Sequence, residues 1–145
     1  MKTKKKKVLL ISPKWVNIHN DIYQQLVEMD YDVRFIAEYS FPEDPYRIKG
    51  KKHIVSDSIV ESMKSDYWKQ YLVKDNAYFD FLLVIDGQGI NDILFNTLKS
   101  INPNIYCVNY LFDTIYSVYH FEKNFRYFNK VFTFDRQESE KYGIE

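Results

Sequence analysis

The residues best suited to chemistry lie where apolar runs of the chain end. Asp86-Gly87-Gln88-Gly89 follows one such run, and its two glycines permit a tight turn and close approach of a ligand to the backbone. Asp86 and Gln88 supply a carboxylate and an amide, which are good partners for hydroxyl groups. The same residues also suit an ordinary turn in which Asp86 binds nearby backbone groups. Both interpretations stay open from the sequence.

Two further pairs of residues follow apolar runs and are candidate ligand contacts. Lys14 and Trp15 offer a cation and a stacking ring, although a tryptophan here equally suits the cover of a helix end. Asp113 and Thr114 offer oxygen atoms, or else the N-cap of the next helix. Together with Asp86 and Gln88, these four residues form the predicted acceptor-binding set.

His19 and Asp86 are the candidate catalytic residues. Imidazole titrates near neutral pH, so His19 suits a general base, but a histidine without a visible partner is more often a packing or surface residue. The three histidines share no metal-ligand spacing with one another or with nearby acids, so no metal site is predicted. No Gly-rich phosphate loop follows the first apolar run, so no nucleotide cofactor is predicted for this chain.

Composition and charge narrow the class of protein. The chain has 145 residues, a typical length for one domain, and we expect residues 1–145 to form one. Its 20 basic residues balance 20 acidic ones, which argues against a dedicated nucleic-acid binder. Cys107 is the single cysteine, which fits a reducing compartment.

The N-terminal segment carries the most uneven charge. Lysines crowd the segment Lys2–Lys7, which is either a solvated tail or a weak peripheral contact with an anionic membrane. The apolar run after it is too short for a signal peptide, and no run approaches the roughly 20 residues of a membrane helix. We therefore expect a cytoplasmic protein, with peripheral contact at the inner membrane face as an option.

Short apolar runs predict five buried strands. In the first run the apolar residues are continuous, which is typical of a strand covered on both faces. The predicted strands are Lys7–Ser12, Asp32–Ala37, Phe79–Ile85, Ile105–Tyr110 and Lys130–Phe134.

Helical patterns separate these runs. One helix carries Ile59, Met63, Tyr67 and Tyr71 on one stripe, and Asp135 and Gly143 suit the two ends of the last helix. A polar stretch, Tyr39–His53, is predicted as a long loop that is either a lid or a decoration. The other predicted helices are Asn17–Met29, capped by Asn17 or Asn20, then Ser58–Val73, Asn91–Ser100 and Ile115–Phe128.

The alternation of strands and helices predicts an α/β fold. We expect a Rossmann-like, doubly wound parallel sheet of about five strands in the order 2-1-3-4-5, with helices on both faces in a three-layer αβα arrangement. In such sheets ligands bind at the carboxyl ends of the strands where the order reverses, here between the first and third strands. The candidate residues above all fall near that edge.

Several motifs in the second half of the chain resemble those of a known family. They are Phe112-Asp113-Thr114, then the segment Phe128–Asp135 (FNKVFTFD), then Tyr142-Gly143, together with the Asp86-Gly87 turn. The set resembles bacterial glycosyltransferases of the lipopolysaccharide, capsule and spore-maturation type. Asn129 stands where that pattern usually has Asp, and Asp86-Gly87-Gln88 stands where it more often has Lys or Arg, Gly, Glu.

The resemblance implies a fold and a division of labour. Members of that family have the GT-B architecture of two Rossmann-like domains, in which the N-terminal domain receives the acceptor and the C-terminal domain binds the nucleotide-sugar donor. The chain would then be the acceptor-side half, inactive alone, with a sugar or lipid-linked acceptor and a donor-binding domain or subunit as partners. A metal is not implied, because such enzymes place donor phosphates against helix dipoles and basic groups.

Two other functions fit the same pattern. A receiver-like module has the same strand order, with Asp86 as the phospho-accepting residue, but Ser12-Pro13 replaces its acidic pair and no lysine follows the fifth strand. A non-catalytic interaction module is the other alternative. We expect co-purification with a separate donor-binding subunit to favour that interpretation.

Overall fold

The computed structural model describes residues 4–14, 17–38, 47–48, 51–52, 57–73, 77–113 and 121–145. Five parallel strands form one sheet in the order β2-β1-β3-β4-β5, and helices flank it. This confirms the predicted α/β class and strand order. The strands are β1 (Lys7–Ser12), β2 (Asp32–Ala37), β3 (Phe81–Ile85), β4 (Tyr106–Leu111) and β5 (Lys130–Thr133).

In the described parts of the chain, four α-helices, one 3₁₀ helix and one π-helical segment accompany the strands. The chain from Phe121 to Tyr127 forms a 3₁₀ helix, which confirms the described part of the predicted helical segment Ile115–Phe128; residues 115–120 lie outside the described residues. A spacing of three brings Phe125 and Phe128 to the same side, and both pack against the core. The α-helices are α1 (Ile18–Glu28), α2 (Asp57–Trp68), α3 (Asp92–Ile101) and α4 (Arg136–Tyr142), and a π-helical segment (Lys69–Val73) extends α2.

The helix ends follow the predictions in part. Asp135 caps α4, because its side chain accepts hydrogen bonds from Gln137 N and Glu138 N, and Gly143 ends the helix with φ of 64°. Asn17 occupies the cap position of α1 in a left-handed conformation, but its side chain makes no capping hydrogen bond. Asn20 lies within α1, so neither asparagine caps that helix as predicted.

The main hydrophobic core lies on one face of the sheet. Alternate residues of β1, β3 and β4 point into it. The apolar run of β1 is continuous because its opposite face is covered as well, with Val8 and Leu10 also buried. Trp68 and Leu72 from the α2 segment and Phe95 from α3 fill the other side of the core. The sheet contributes Leu9, Ile11, Leu82, Val84, Cys107, Leu111 and Val131.

The face of helix α2 that packs against the core is not its most apolar stripe. Ile59, Met63 and Tyr71 of the predicted stripe are 54%, 37% and 42% exposed. Its fourth member, Tyr67, is half-buried and packs against the core, and its hydroxyl donates to Ala37 O at 2.6 Å. The stripe one position further along the chain is buried instead, and it consists of Val60, Lys64, Trp68 and Leu72. Trp68 is fully buried, and an indole of that size fixes the rotation of the helix even though it brings Lys64 inside.

The predicted long loop lies mostly outside the described residues. Within Tyr39–His53, two short strands are described, Arg47–Ile48 and Lys51–Lys52, and they pair with each other in an antiparallel hairpin. Glu145 lies beside β5, since Glu145 N donates to Val131 O and Thr133 N donates to Glu145 O. Within the described ranges, no helix has the length and apolar character needed to cross a membrane.

The rotation of α2 predicts a difference between two truncations on the same segment. Leu72→Ala removes a side chain that is 4% exposed, and we expect the free energy of unfolding to fall by about 2–5 kcal/mol. Met63→Ala removes one that is 37% exposed, and we expect a loss of about 1 kcal/mol or less. Urea denaturation of both variants measures this, and equal losses would contradict the observed rotation.

Candidate functional site

The candidate site is the edge of the sheet formed by the carboxyl ends of the strands. The chain passes from β1 to β2 on one side and then returns to β3 on the other, so the strand order reverses between β1 and β3. Parallel pairing brings the ends of β3 and β4 together, with Ile85 beside Tyr110. The turn Asp86–Gly89 therefore lies next to the segment that follows β4, as the sequence predicts.

Asp86 ties these two segments together. Its Oδ1 accepts hydrogen bonds from Phe112 N at 2.7 Å and from Asp113 N at 3.0 Å. Its backbone N–H donates to Tyr110 O, and its carbonyl accepts from Asn109 Nδ2, both at 2.9 Å. Asp86 is only 4% exposed, so it acts mainly on the protein itself.

The backbone of Asp86 has an uncommon conformation that the side chain helps to support. Its φ is 61°, in the left-handed region, where Asp and Asn are tolerated better than other residues with a Cβ. Burial raises the pKa of Asp86, and the charge of Asp113 raises it further, whereas the two N–H donors lower it. The residue is a structural clamp for the turn.

Gly89 is held from both sides by residues that the sequence analysis did not select. Its N–H donates to Glu38 Oε1 at 2.7 Å, and its carbonyl accepts from Trp68 Nε1 at 2.9 Å. Glu38 follows β2 and Trp68 lies on α2, so two elements far apart in sequence position this turn. The sequence did not point to Glu38, because a single acidic residue at the start of a polar stretch forms no recognisable motif.

Glu38 is a buried acid with a strongly shifted proton affinity. It is 8% exposed, and burial raises its pKa to about 8, with the charge of Asp86 adding to the rise. Gly89 N–H, the Lys64 charge and the Gly87 backbone act in the opposite direction. Glu38 is therefore mostly protonated at neutral pH.

Lys64 is the second buried ionisable side chain that the sequence did not point to. It is 6% exposed, its Nζ lies 3.4 Å from Glu61 Oε1, and burial lowers its pKa. The available signal was its spacing of four residues from Val60 and Trp68, which places all three on one helix face.

The remaining predicted acceptor contacts differ in how open they are. Gln88 is exposed at the tip of the turn and Asp113 is half-buried beside it. Lys14 is exposed, and its Nζ lies 5.9 Å from the centroid of the Phe35 ring. Trp15 and Thr114 lie outside the described residues.

His19 occupies a separate position at the start of α1. Its ring stacks on Phe35 with centroids 4.9 Å apart, and it is 9% exposed. Its Nδ1 is buried without a hydrogen-bond partner. Within the part of the chain that the structure describes, no hydrogen bond joins His19 to Asp86, so the two candidate catalytic residues do not form a pair.

Two exposed phenylalanine rings complete the edge. Phe112 is 39% and Phe134 is 59% exposed, which is unusual for phenylalanine. Leu111 pairs with Thr133 in the sheet, so the two phenylalanines immediately follow paired positions of neighbouring strands. At this edge Gln88 thus follows β3, Phe112 and Asp113 follow β4, and Phe134 follows β5. Among the described residues, no group of three His, Cys, Asp or Glu side chains is arranged to hold a metal ion.

Comparisons with known proteins give a distant structural likeness. No protein-family model matches the chain, and a search of curated proteins gives no match. Among solved structures, the chain is similar to a Burkholderia pseudomallei protein that was described as pilus assembly-related. The TM-score is 0.41 with 11% sequence identity, over 92% of this chain and 82% of the other.

The buried Glu38 carboxyl predicts a dependence of stability on pH. Its folded pKa of about 8 lies above the ordinary value of 4.5, so the unfolded chain loses this proton first as pH rises. Glu38 therefore contributes most below about pH 4.5, and its contribution is lost between there and about pH 8, at up to about 1.4 kcal/mol per pH unit. The raised pKa of Asp86 changes stability with pH in the same direction, so the natural chain alone does not isolate the effect of Glu38. The natural chain is therefore compared with the variant Glu38→Gln, which keeps an oxygen acceptor for Gly89 N–H. We expect the free energy of unfolding of Glu38→Gln to fall less than that of the natural chain over that pH range. Parallel plots of unfolding free energy against pH for the two chains would contradict the raised pKa of Glu38.

The clamp formed by Asp86 predicts different effects for two substitutions. Asp86→Ala leaves the N–H groups of Phe112 and Asp113 without their acceptor and puts alanine at a positive φ, so we expect a loss of about 2–4 kcal/mol in unfolding free energy. Asp86→Asn keeps an oxygen acceptor and tolerates that φ, so we expect about 1 kcal/mol or less. Thermal or urea unfolding measures both. Equal stability of the alanine and asparagine variants would show that the carboxyl oxygen does not hold the turn.

Proposed function

We propose that this chain is the acceptor-side domain of a bacterial glycosyltransferase that builds cell-surface polysaccharide or a related glycoconjugate. In this proposal the acceptor sugar lies at the carboxyl edge, against Phe112 and Phe134. The nucleotide-sugar donor binds to a second domain or subunit, so the chain alone does not transfer sugar.

The exposed aromatic pair is the observation that carries the proposal. A sugar ring has an apolar C–H face that stacks on aromatic rings and hydroxyl groups that need hydrogen-bond partners. Phe112 and Phe134 supply the stacking surfaces, and Gln88 and Asp113 supply the hydrogen-bond partners. The clamp on the Asp86–Gly89 turn supports this role, because a pre-organised site loses less entropy when its ligand binds.

The position of the edge also supports ligand binding. In open α/β sheets, ligands bind outside the carboxyl ends of the strands at the point where the strand order reverses. Lys14, after β1, and the Asp86–Gly89 turn, after β3, flank that point. Phe112 follows the next strand, β4, and Phe134 follows the outermost strand, β5, so the proposed sugar site extends from the reversal point toward that side of the sheet. We assign Asp86 the role of a positioning residue, since its oxygen already holds the backbone.

An interaction module is the second candidate, and the exposed stripe on α2 favours it. Ile59, Met63 and Tyr71 present apolar surface at spacings of four and eight residues on a helix that is otherwise packed on the core. A receiver is disfavoured, because Asp86 is 4% exposed and its oxygen accepts two backbone hydrogen bonds.

Sugar binding to the isolated chain tests the proposal. Titration with a panel of methyl glycosides, followed by amide NMR shifts, is expected to show changes confined to residues 86–89, 112–113 and 134–135. Phe112→Ala and Phe134→Ala each remove a stacking ring, and we expect each to weaken binding by about fivefold or more, which corresponds to about 1 kcal/mol.

Tyr106→Ala is the matched control for these substitutions. Tyr106 is 41% exposed, much like Phe112, but it lies at the opposite end of the same strand. Its removal should leave sugar binding unchanged. Failure of every glycoside to shift the edge, or equal losses in all three variants, would overturn the assignment, and capture of a partner through the α2 stripe would then favour the interaction module.

A further inference from the structure

The amino ends of the strands form a surface with a composition unlike the carboxyl edge. Lys4, Lys5 and Lys6 are exposed and Lys7 begins β1, so four consecutive lysines run across this end of the sheet. They line an open groove of about 370 Å³ together with Tyr78 and Asp80. We call the surface that Lys4–Lys7 form with Tyr78, together with Met29 next to the Lys5 partner Asp30, the basic amino edge.

Exposed apolar and aromatic side chains accompany these lysines. Met29 is 58% exposed just after the end of α1, and Val27 is 40% exposed two residues earlier. Tyr78 is 47% exposed just before β3. A second groove, of about 450 Å³, joins the lysines to Val27 and Tyr31. Tyrosine has an apolar ring and a polar tip, which suits the boundary between water and lipid.

Nearby acids fix the lysine run without burying its charges. Lys5 Nζ lies 2.5 Å from Asp30 Oδ1, and Lys6 Nζ lies 3.7 Å from Asp80 Oδ1. The two lysine side chains remain 53% and 66% exposed. Exposed pairs of this kind contribute little, so the ammonium groups are available to a stronger anionic surface.

We propose that the basic amino edge is a peripheral docking surface for an anionic phospholipid bilayer, with Lys4–Lys7 against the headgroups and Met29 and Tyr78 at the interface. The lysine ammonium groups attract anionic headgroups. The neighbouring apolar side chains favour a lipid interface, because they can leave water there. Binding is weak and reversible, because a few lysines act without a lipid anchor.

A nucleic acid fits the same surface less well. The whole chain has no net charge, with 20 basic and 20 acidic residues. Met29 and Val27 add apolar surface that a sugar–phosphate backbone does not use.

Docking through the basic amino edge sets the distance between the membrane and the carboxyl edge. The strands run from the amino edge to the carboxyl edge, and six residues of strand span about 20 Å. A domain docked through Lys4–Lys7 therefore holds Phe112 and Phe134 about that far from the headgroups. An acceptor on a lipid carrier must extend by that distance, or else be soluble.

Vesicle binding tests the docking surface without any sugar. We expect the chain to sediment with vesicles that contain about one-third phosphatidylglycerol, to stay in solution with pure phosphatidylcholine, and to be released by added salt. The double variant Lys4→Gln with Lys6→Gln is expected to lower the partition coefficient about 25-fold, since each surface lysine is worth about fivefold. Met29→Ser is expected to lower it severalfold at unchanged charge.

A control double variant removes two positive charges, as Lys4→Gln with Lys6→Gln does, but from the other end of the molecule. Lys123 pairs with Glu61 near the start of α2, and Arg136 begins α4 just after β5. Lys123→Gln with Arg136→Gln should leave vesicle binding unchanged, with circular dichroism confirming that every variant folds. Equal losses in the two double variants, an unchanged Met29→Ser variant, or displacement of the chain from vesicles by DNA of equal phosphate concentration would each overturn the proposal.

Discussion

The turn after β3 depends on a set of hydrogen bonds that no single element provides. Glu38 from the end of β2 and Trp68 from α2 hold the two backbone groups of Gly89. Asp86 then fastens the segment after β4. Because these bonds are buried, losing one partner leaves a polar group unsatisfied, so the turn keeps one conformation only while the sheet, α2 and the β4 segment all keep theirs.

The same requirement explains the unfavourable features of α2. Turning the helix so that Ile59, Met63 and Tyr71 face the core would take Lys64 out of it, but it would also withdraw the Trp68 indole N–H from Gly89. The observed rotation keeps that bond and the fully buried ring, at the expense of a buried Lys64. A hydrophobic pattern alone reports apolar area and not the reach of one hydrogen bond, so the sequence predicted the helix but selected the wrong stripe.

The sheet was predictable because its signals are local and repeated. β1 and β2 have the predicted bounds, since continuous apolar runs of that length have few other solutions. Asp135 and Gly143 were likewise predictable, because capping depends on neighbours in the sequence. Glu38 was not, because its partner Gly89 lies 51 residues away and only the strand order brings the two together.

The motif that suggested a family also has a structural reason to exist. Asp135 caps α4, Thr133 Oγ1 accepts from Asp135 N, and Tyr142 packs against Phe125 before Gly143 ends the helix. These residues build a strand-to-helix junction, so their pattern is explained without any ligand. Phe134 is different, because it lies within the same motif yet is 59% exposed and supports none of these contacts. The junction contacts therefore account for Asp135, Thr133 and Tyr142 but give no role to the exposed ring of Phe134 at the carboxyl edge.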